Sequence, residues 1–277
     1  MIPAASVLLA LRSHGAPVRV PSRTAAGFCI AIQCWSFREH TLFEAIEMAA
    51  WAGASAIEMF PGQEIGGGHR GAKLAPGMPD ELFDAISGKL AEHGLAACNY
   101  GISSISEDET EARPVFELAR RFGMEGVTTE SIEAIDTLEA LAMEYGIKVC
   151  FHNHPKPTKL WNPDTVSKAI QGRHANLGFC ADLGHWASSG LDPLEAVGKH
   201  ASRIHSIHIK DREKTDIWTH DRPLGTGAMP LAAILDELLA NGFRGSVVIE
   251  FEHNWKNNLA EIAQCVGFLR GYSSRGK

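Results

Sequence analysis

From Phe28 onward, eight short apolar runs rich in strand-forming residues recur along the chain. They are FCIAIQCWSF (28–37), ASAIEMF (54–60), GLAACNYG (94–101), MEGVTTE (124–130), IKVCFHNH (147–154), NLGFCADLGH (176–185), IHSIHIKD (204–211) and GSVVIEFEH (245–253). Between them apolar residues return at three- and four-residue spacing, which lines one face of a helix. The pattern predicts strand and helix in strict alternation. Thr41 followed by Glu44 is a capping-box signature for the first helix. Pro79-Asp80, Pro163-Asp164, Asp192-Pro193 and Pro230 mark further helix starts. Gly53, Gly94, Gly123, Gly146, Gly172 and Gly242 stand where helices should end, as residues able to take a left-handed turn.

Strand starts lie roughly 23 to 41 residues apart, the pitch of a strand–helix unit. Eight such units in about 245 residues match an α/β fold, a parallel (β/α)8 TIM barrel. An open doubly wound sheet would usually carry a Gly-rich phosphate turn after its first strand, and CWSFREH is not one. Gly66-Gly67-Gly68 reads as a flexible loop. The expected organisation is an N-terminal extension over 1–27 and a single barrel domain over 28–277. No basic segment precedes the apolar stretch Ile2–Leu11, as a secretory signal would require. That stretch is expected to pack on the barrel bottom or on a neighbouring subunit.

Composition narrows the function classes. Lys plus Arg total 26 against 33 Asp plus Glu, a net charge of −7, which counts against a nucleic-acid partner. No run approaches the roughly 18–20 uninterrupted apolar residues of a membrane span. The six cysteines form no CxxC pair. They read as buried free thiols, which suit a reducing compartment. A cytoplasmic location is expected, with periplasm or secretion as alternatives if the N-terminus belongs to a signal. A homo-oligomer stays open.

Candidate chemistry gathers at the C-terminal ends of the predicted strands, where barrel enzymes place their active sites. Those ends carry Trp35 and Ser36, Glu58, Asn99 and Tyr100, Glu130, His152 to His154, Asp182 and His185, His208 to Asp211, and Glu250 to His253. Glu58 has the alternative of an inward carboxylate paired with a lysine, and Lys210-Asp211 that of a structural ion pair. His205 falls on the opposite strand face from His208. Asp182 and Glu250 end apolar runs, where an unpaired carboxylate is costly. With His208 they make a mixed carboxylate–imidazole set suited to a divalent ion, Mn, Co, Mg or Zn. Trp35, Phe60, Tyr100, Trp186 and Trp255 could stack on sugar faces.

At these residues the chain resembles the sugar phosphate isomerase/epimerase superfamily of xylose isomerase-like TIM barrels, which includes ketose 3-epimerases and inosose dehydratases. The resemblance covers about 28–270 and rests on IEM-F-PGQ, FHNHPKP, CADLGHWxxSGLDP, IHIKD, LGTG and IEFEHNW. It implies one divalent ion, Mn first, held by His152, Asp182, His208 and Glu250, with Glu130 as a competing ligand. The fifth-strand ligand of ketose 3-epimerases is a glutamate that also transfers protons. His152 replaces it here, so that two-glutamate scheme does not carry over intact. Glu250 and Glu130 are the expected base and acid, with His154, His185 and Lys210 holding substrate hydroxyls. Trp35, Glu58, Tyr100, Trp186 and Glu252 are expected to contact substrate. The implied reaction is metal-assisted proton abstraction beside the carbonyl of a keto-sugar or related carbohydrate, giving an isomer or epimer. Alternatives are a dehydratase, a 3-keto-glycoside lyase or hydrolase, and a non-catalytic carbohydrate-binding barrel.

Overall fold

In the computed structural model, which describes residues 19–275, eight parallel strands close into a barrel. They are Cys29–Gln33, Ala56–Met59, Ala96–Ser103, Gly126–Thr129, Lys148–His152, Leu177–Asp182, Ile204–Ile209 and Ser246–Ile249. Each falls on one of the eight apolar runs, the third continuing past its run to Ser103. Closure joins the first strand to the eighth, with Cys29 opposite Ser246 and Ile32 opposite Ile249. Helices follow the strands and form the outer layer, from Leu42–Ala52 to Leu259–Ser273.

The strand period of two sorts the side chains. Ile30, Ile32, Ile57, Val127, Phe151, Phe179, Ile207 and Val247 join the large core cluster shared with the helices. Inside the barrel, Cys29, Ala31, Ala56, Ala96, Cys98 and Val248 form a separate packed layer of mostly small residues. One register step nearer the C-terminal end, the interior turns polar. Gln33, Glu58, Asn99, His152, Asp182 and His208 are all buried there. The apolar layer thus floors a polar one, which fixes the height of the site. All six cysteines are free and buried, and burial pushes every thiol pKa upward.

The expected capping box is present at the first helix. Thr41 Oγ1 accepts from the Glu44 amide at 3.4 Å, and Glu44 Oε2 accepts from the Thr41 amide at 2.8 Å. Gly53 ends the helix at φ 90°, a left-handed conformation that suits glycine. Thr41→Ala should lower stability by about 1 kcal/mol, measured by denaturant unfolding, with metal content unchanged. The glycine triplet departs from expectation. Instead of a loose loop it closes an antiparallel hairpin, Glu64–Gly66 against His69–Lys73, because three consecutive glycines with positive φ let the chain reverse.

Of the expected 1–27 extension, residues 1–18, including Ile2–Leu11, lie outside the described residues. Nearer the barrel, Arg23 forms an isolated bridge with Cys29, donates to Gly245 O and pairs with Glu125, while Ser55 Oγ donates to Ser22 O. Ser55, Glu125 and Gly245 each immediately precede a barrel strand. This segment therefore lies against the barrel bottom, away from the polar layer. Among the described residues no helix is long and apolar enough to cross a membrane.

Candidate metal centre and active site

Four strands deliver one compact cluster. Ligand atoms of His152, Asp182, His208 and Glu250 all lie within 4.8 Å of one another, and all four residues are buried. Asp182 is the vertex. Its Oδ2 stands 3.6 Å from His152 Nε2, 3.9 Å from His208 Nδ1 and 3.0 Å from Lys210 Nζ. Its Oδ1 caps the short helix Leu183–Ser188 by accepting from the His185 amide at 2.8 Å. The aspartate is thus fixed by the turn that follows it, which explains the DLGH sequence.

Lys210 threads beneath this vertex. Its ammonium reaches Glu252 at 2.5 Å, Glu250 at 2.8 Å and Asp182. Gly184 makes room, since a Cβ there would stand 2.7 Å from Lys210 Cβ. Burial disfavours the charged lysine, but the three carboxylates outweigh it and drive its pKa up. The same pairings act in reverse on the carboxylates. Burial pushes Glu250 up, yet Lys210 and His208 hold it at about 2, and Lys210 and His185 hold Glu252 low.

His185 uses both ring nitrogens inside the protein. Nδ1 donates to Asn153 O at 2.9 Å, so Nε2 is left to accept from Lys210 at 3.1 Å. Burial lowers its pKa, consistent with the neutral form. Glu130 Oε1 accepts from His152 Nδ1 at 2.8 Å and from His154 Nδ1 at 2.6 Å. Its pKa falls to about 2, because the two histidines outweigh the effect of burial.

The residues fit a bound cation. His152 Nε2 is buried with no hydrogen-bond partner among the described residues, although it stands 3.6 Å from Asp182 Oδ2, whose ion-pair partner is Lys210. Asp182, Glu250 and Glu252 also share Lys210, Arg212 lies between Asp221 and Glu252, and Glu58 has no lysine or arginine partner among the described residues, leaving a negative surplus. Against the pull of burial, neighbouring acidic groups raise the imidazole pKa values of His152 and His208. A divalent ion would relieve both conditions.

Above the cluster opens a cavity of about 450 Å³, whose wall includes Gln33, Trp35, Arg38, His154, Glu250 and Glu252. Glu250 belongs to both cluster and wall. Trp35 meets Phe60 edge-to-face at 5.2 Å, and the Arg38 guanidinium lies 3.9 Å over Trp255.

Residues 46–272 match the family described as Xylose isomerase-like TIM barrel. The chain belongs to that family. Across its xylose isomerase-like barrel it is 26% identical to the rhizopine catabolism protein MocC of Rhizobium meliloti over 237 residues, 75% of this chain and 72% of that protein. It is 28% identical to an inosose dehydratase of Clostridium perfringens over 138 residues, 44% of this chain and 46% of the enzyme. Among solved structures, an uncharacterized protein of Parabacteroides distasonis superposes with a TM-score of 0.72 at 30% identity, covering 88% of this chain and 99% of that one. A Mycobacterium smegmatis barrel in complex with magnesium gives a TM-score of 0.73 at 17% identity, covering 91% and 98%.

Several of the expected residues lie away from the cavity wall in this xylose isomerase-like barrel. Tyr100 and Trp186 do not line the cavity; both are fully buried in the outer core. The register shift between Ile57 and Glu58 sets Asn99 opposite Glu58, and Asn99 Nδ2 donates to Glu58 Oε2 at 3.2 Å, while Tyr100 joins the outer layer. Tyr100 Oη has no partner among the described residues. Tyr100→Phe should therefore change stability by less than about 1 kcal/mol and leave kcat/KM unaltered. Lost activity at unchanged stability would return Tyr100 to the site.

His185 and Lys210 are 2% and 1% exposed and contact carboxylates, Lys210 reaching Asp182, Glu250 and Glu252, and His185 Nε2 standing 3.3 Å from Glu252. Glu58 is wholly covered, set beside Asn99 and His208 and away from the cavity wall, with no lysine partner among the described residues. Asp211 does not pair with Lys210. It accepts amides of Gly225, Gly227 and Met229, which gives the LGTG turn its purpose. Gln33 and Arg38 were missed. Gln33 follows the inward parity of Cys29 and Ala31 and was legible on that ground.

Proposed function

We propose that this barrel is a divalent-metal-dependent enzyme that moves a proton on the carbon beside the carbonyl of a keto-sugar or a related cyclic polyol ketone. The observation that carries this reading is Glu250, shared between the buried four-residue cluster and the cavity wall. His152, Asp182, His208 and Glu250 would hold the ion. When bound, it would polarise the substrate carbonyl and acidify the neighbouring C–H. Manganese is our first choice; a magnesium complex of the mycobacterial neighbour and a zinc atom in the IolI protein structure show what related barrels accept.

The chain's own groups divide the remaining work. Glu250, ionised and oriented by Lys210 and His208, takes the proton. His154 also lines the cavity, and Glu130 orients its ring through Nδ1. This pair stands in for the second glutamate of the ketose 3-epimerases. Glu130 acts through His154, since Glu130 itself lines a neighbouring cavity with Ser104, Glu107 and Glu133. Trp35 and Phe60 offer apolar faces to a sugar ring.

A dehydratase reading has its own support in the aligned inosose dehydratases, and it shares the same proton removal. The test is a panel of ketoses and inososes in D2O with added Mn. Solvent deuterium should enter the carbon beside the carbonyl. Its retention in a product of unchanged mass otherwise identifies an isomerase or epimerase, while loss of water identifies the lyase. No exchange with any substrate that binds would sink the proton-transfer reading.

A further inference from the structure

Building on the proposed metal centre, we infer that Glu58 is a positioning residue that directs Nδ1 of His208 toward the ion, as Glu130 directs Nε2 of His152. A neutral imidazole carries one N–H and one lone pair. A ligand must turn the lone pair to the metal, so whatever accepts the N–H behind it decides which nitrogen binds.

The two histidines are arranged in opposite senses about Asp182. For His152, Nδ1 faces Glu130 at 2.8 Å and Nε2 faces Asp182 Oδ2 at 3.6 Å. For His208, Nδ1 faces Glu250 at 3.1 Å and Asp182 at 3.9 Å, while Nε2 stands 3.3 Å from Glu58 Oε2. Each ring therefore presents one nitrogen to the cluster and the other to a glutamate outside it. The glutamates come from the second strand and from the residue after the fourth, both outside the four ligand-bearing strands.

Glu58 suits this task better than substrate binding. It is 0% exposed. Asn99 Nδ2 holds its Oε2 at 3.2 Å, and its Oε1 has no hydrogen-bond partner among the described residues. A buried polar atom without a partner is costly; His208 Nε2 has none among the described residues, and Glu58 Oε2, 3.3 Å away, can accept its N–H once Nδ1 is committed to a metal. Glu130 is 29% exposed and shares its oxygen with His154, so its hold on His152 is open to the neighbouring cavity. The hold on His208 is sealed within the barrel.

The test uses the full chain with 15N-labelled histidine, loaded with Zn2+ as a diamagnetic probe. Long-range 1H–15N spectra should show His208 coordinated through Nδ1 and protonated on Nε2, with His152 the reverse. Glu58→Gln keeps the shape and removes the charge, and should weaken zinc binding about 10- to 100-fold in a chelator competition. Its metal-free circular dichroism should match wild type. Coordination of His208 through Nε2, or zinc affinity within about twofold of wild type in Glu58→Gln, overturns the role of Glu58 and leaves the metal centre standing. A wild-type protein that binds no zinc overturns the metal centre, and this inference with it. Should Glu58→Gln fail to fold, the wild-type spectrum decides alone.

Discussion

Asp182→Asn should abolish binding of the proposed divalent ion while leaving the barrel folded. The substitution keeps an oxygen able to accept from the His185 amide, so the cap on the following helix survives. The other carboxylate atom becomes an amide nitrogen. It then faces Lys210 Nζ, His152 Nε2 and His208 Nδ1, where a lone pair and a negative charge are needed. Affinity for Mn should fall by on the order of 100-fold or more, above the cost of losing a supporting hydrogen bond. Wild-type protein at about 1,000 times its Kd in Mn should gain about 4 kcal/mol of stability, and the variant almost none. Elemental analysis and melts with and without Mn check both. Stoichiometric metal in Asp182→Asn would place the ion elsewhere.

Glu250→Gln is expected to abolish solvent-deuterium exchange, with a loss of about 10²- to 10⁴-fold for a missing general base. Substrate binding should survive better than turnover, because Trp35, Phe60 and His154 remain on the cavity wall. Glu250 also belongs to the metal cluster, so metal content must be measured in the same sample. A variant that keeps its metal and loses exchange separates proton transfer from coordination. Wild-type exchange in Glu250→Gln would remove the residue from the reaction.

The barrel was legible because eight strands fully covered on both faces must read as apolar runs, and the helix caps punctuate them. That Asp182 and Glu250 belong to one buried charged cluster was legible for a related reason: a carboxylate ending SVVI or LGFCA has few roles other than pairing with a cation. What stayed hidden depends on partners distant in sequence. Nothing local shows that Lys210 serves Asp182, Glu250 and Glu252 instead of its neighbour Asp211. Nor does period two locate Tyr100, because the register shift near Glu58 reverses the parity the alternation would assign. Tryptophan in DLGHW resembles a sugar platform until the short helix turns it wholly into the core.

The six buried thiols give the fold an internal clock. With every thiolate disfavoured by burial, no cysteine should react with an aromatic disulfide at neutral pH while the barrel stays closed. Cys29, Cys98, Cys150 and Cys180 sit in barrel strands, so their modification requires those strands to part. The rate of colour release then counts openings of the barrel itself, and added metal should slow that count only as far as the ion ties the strands bearing His152, Asp182 and His208 together.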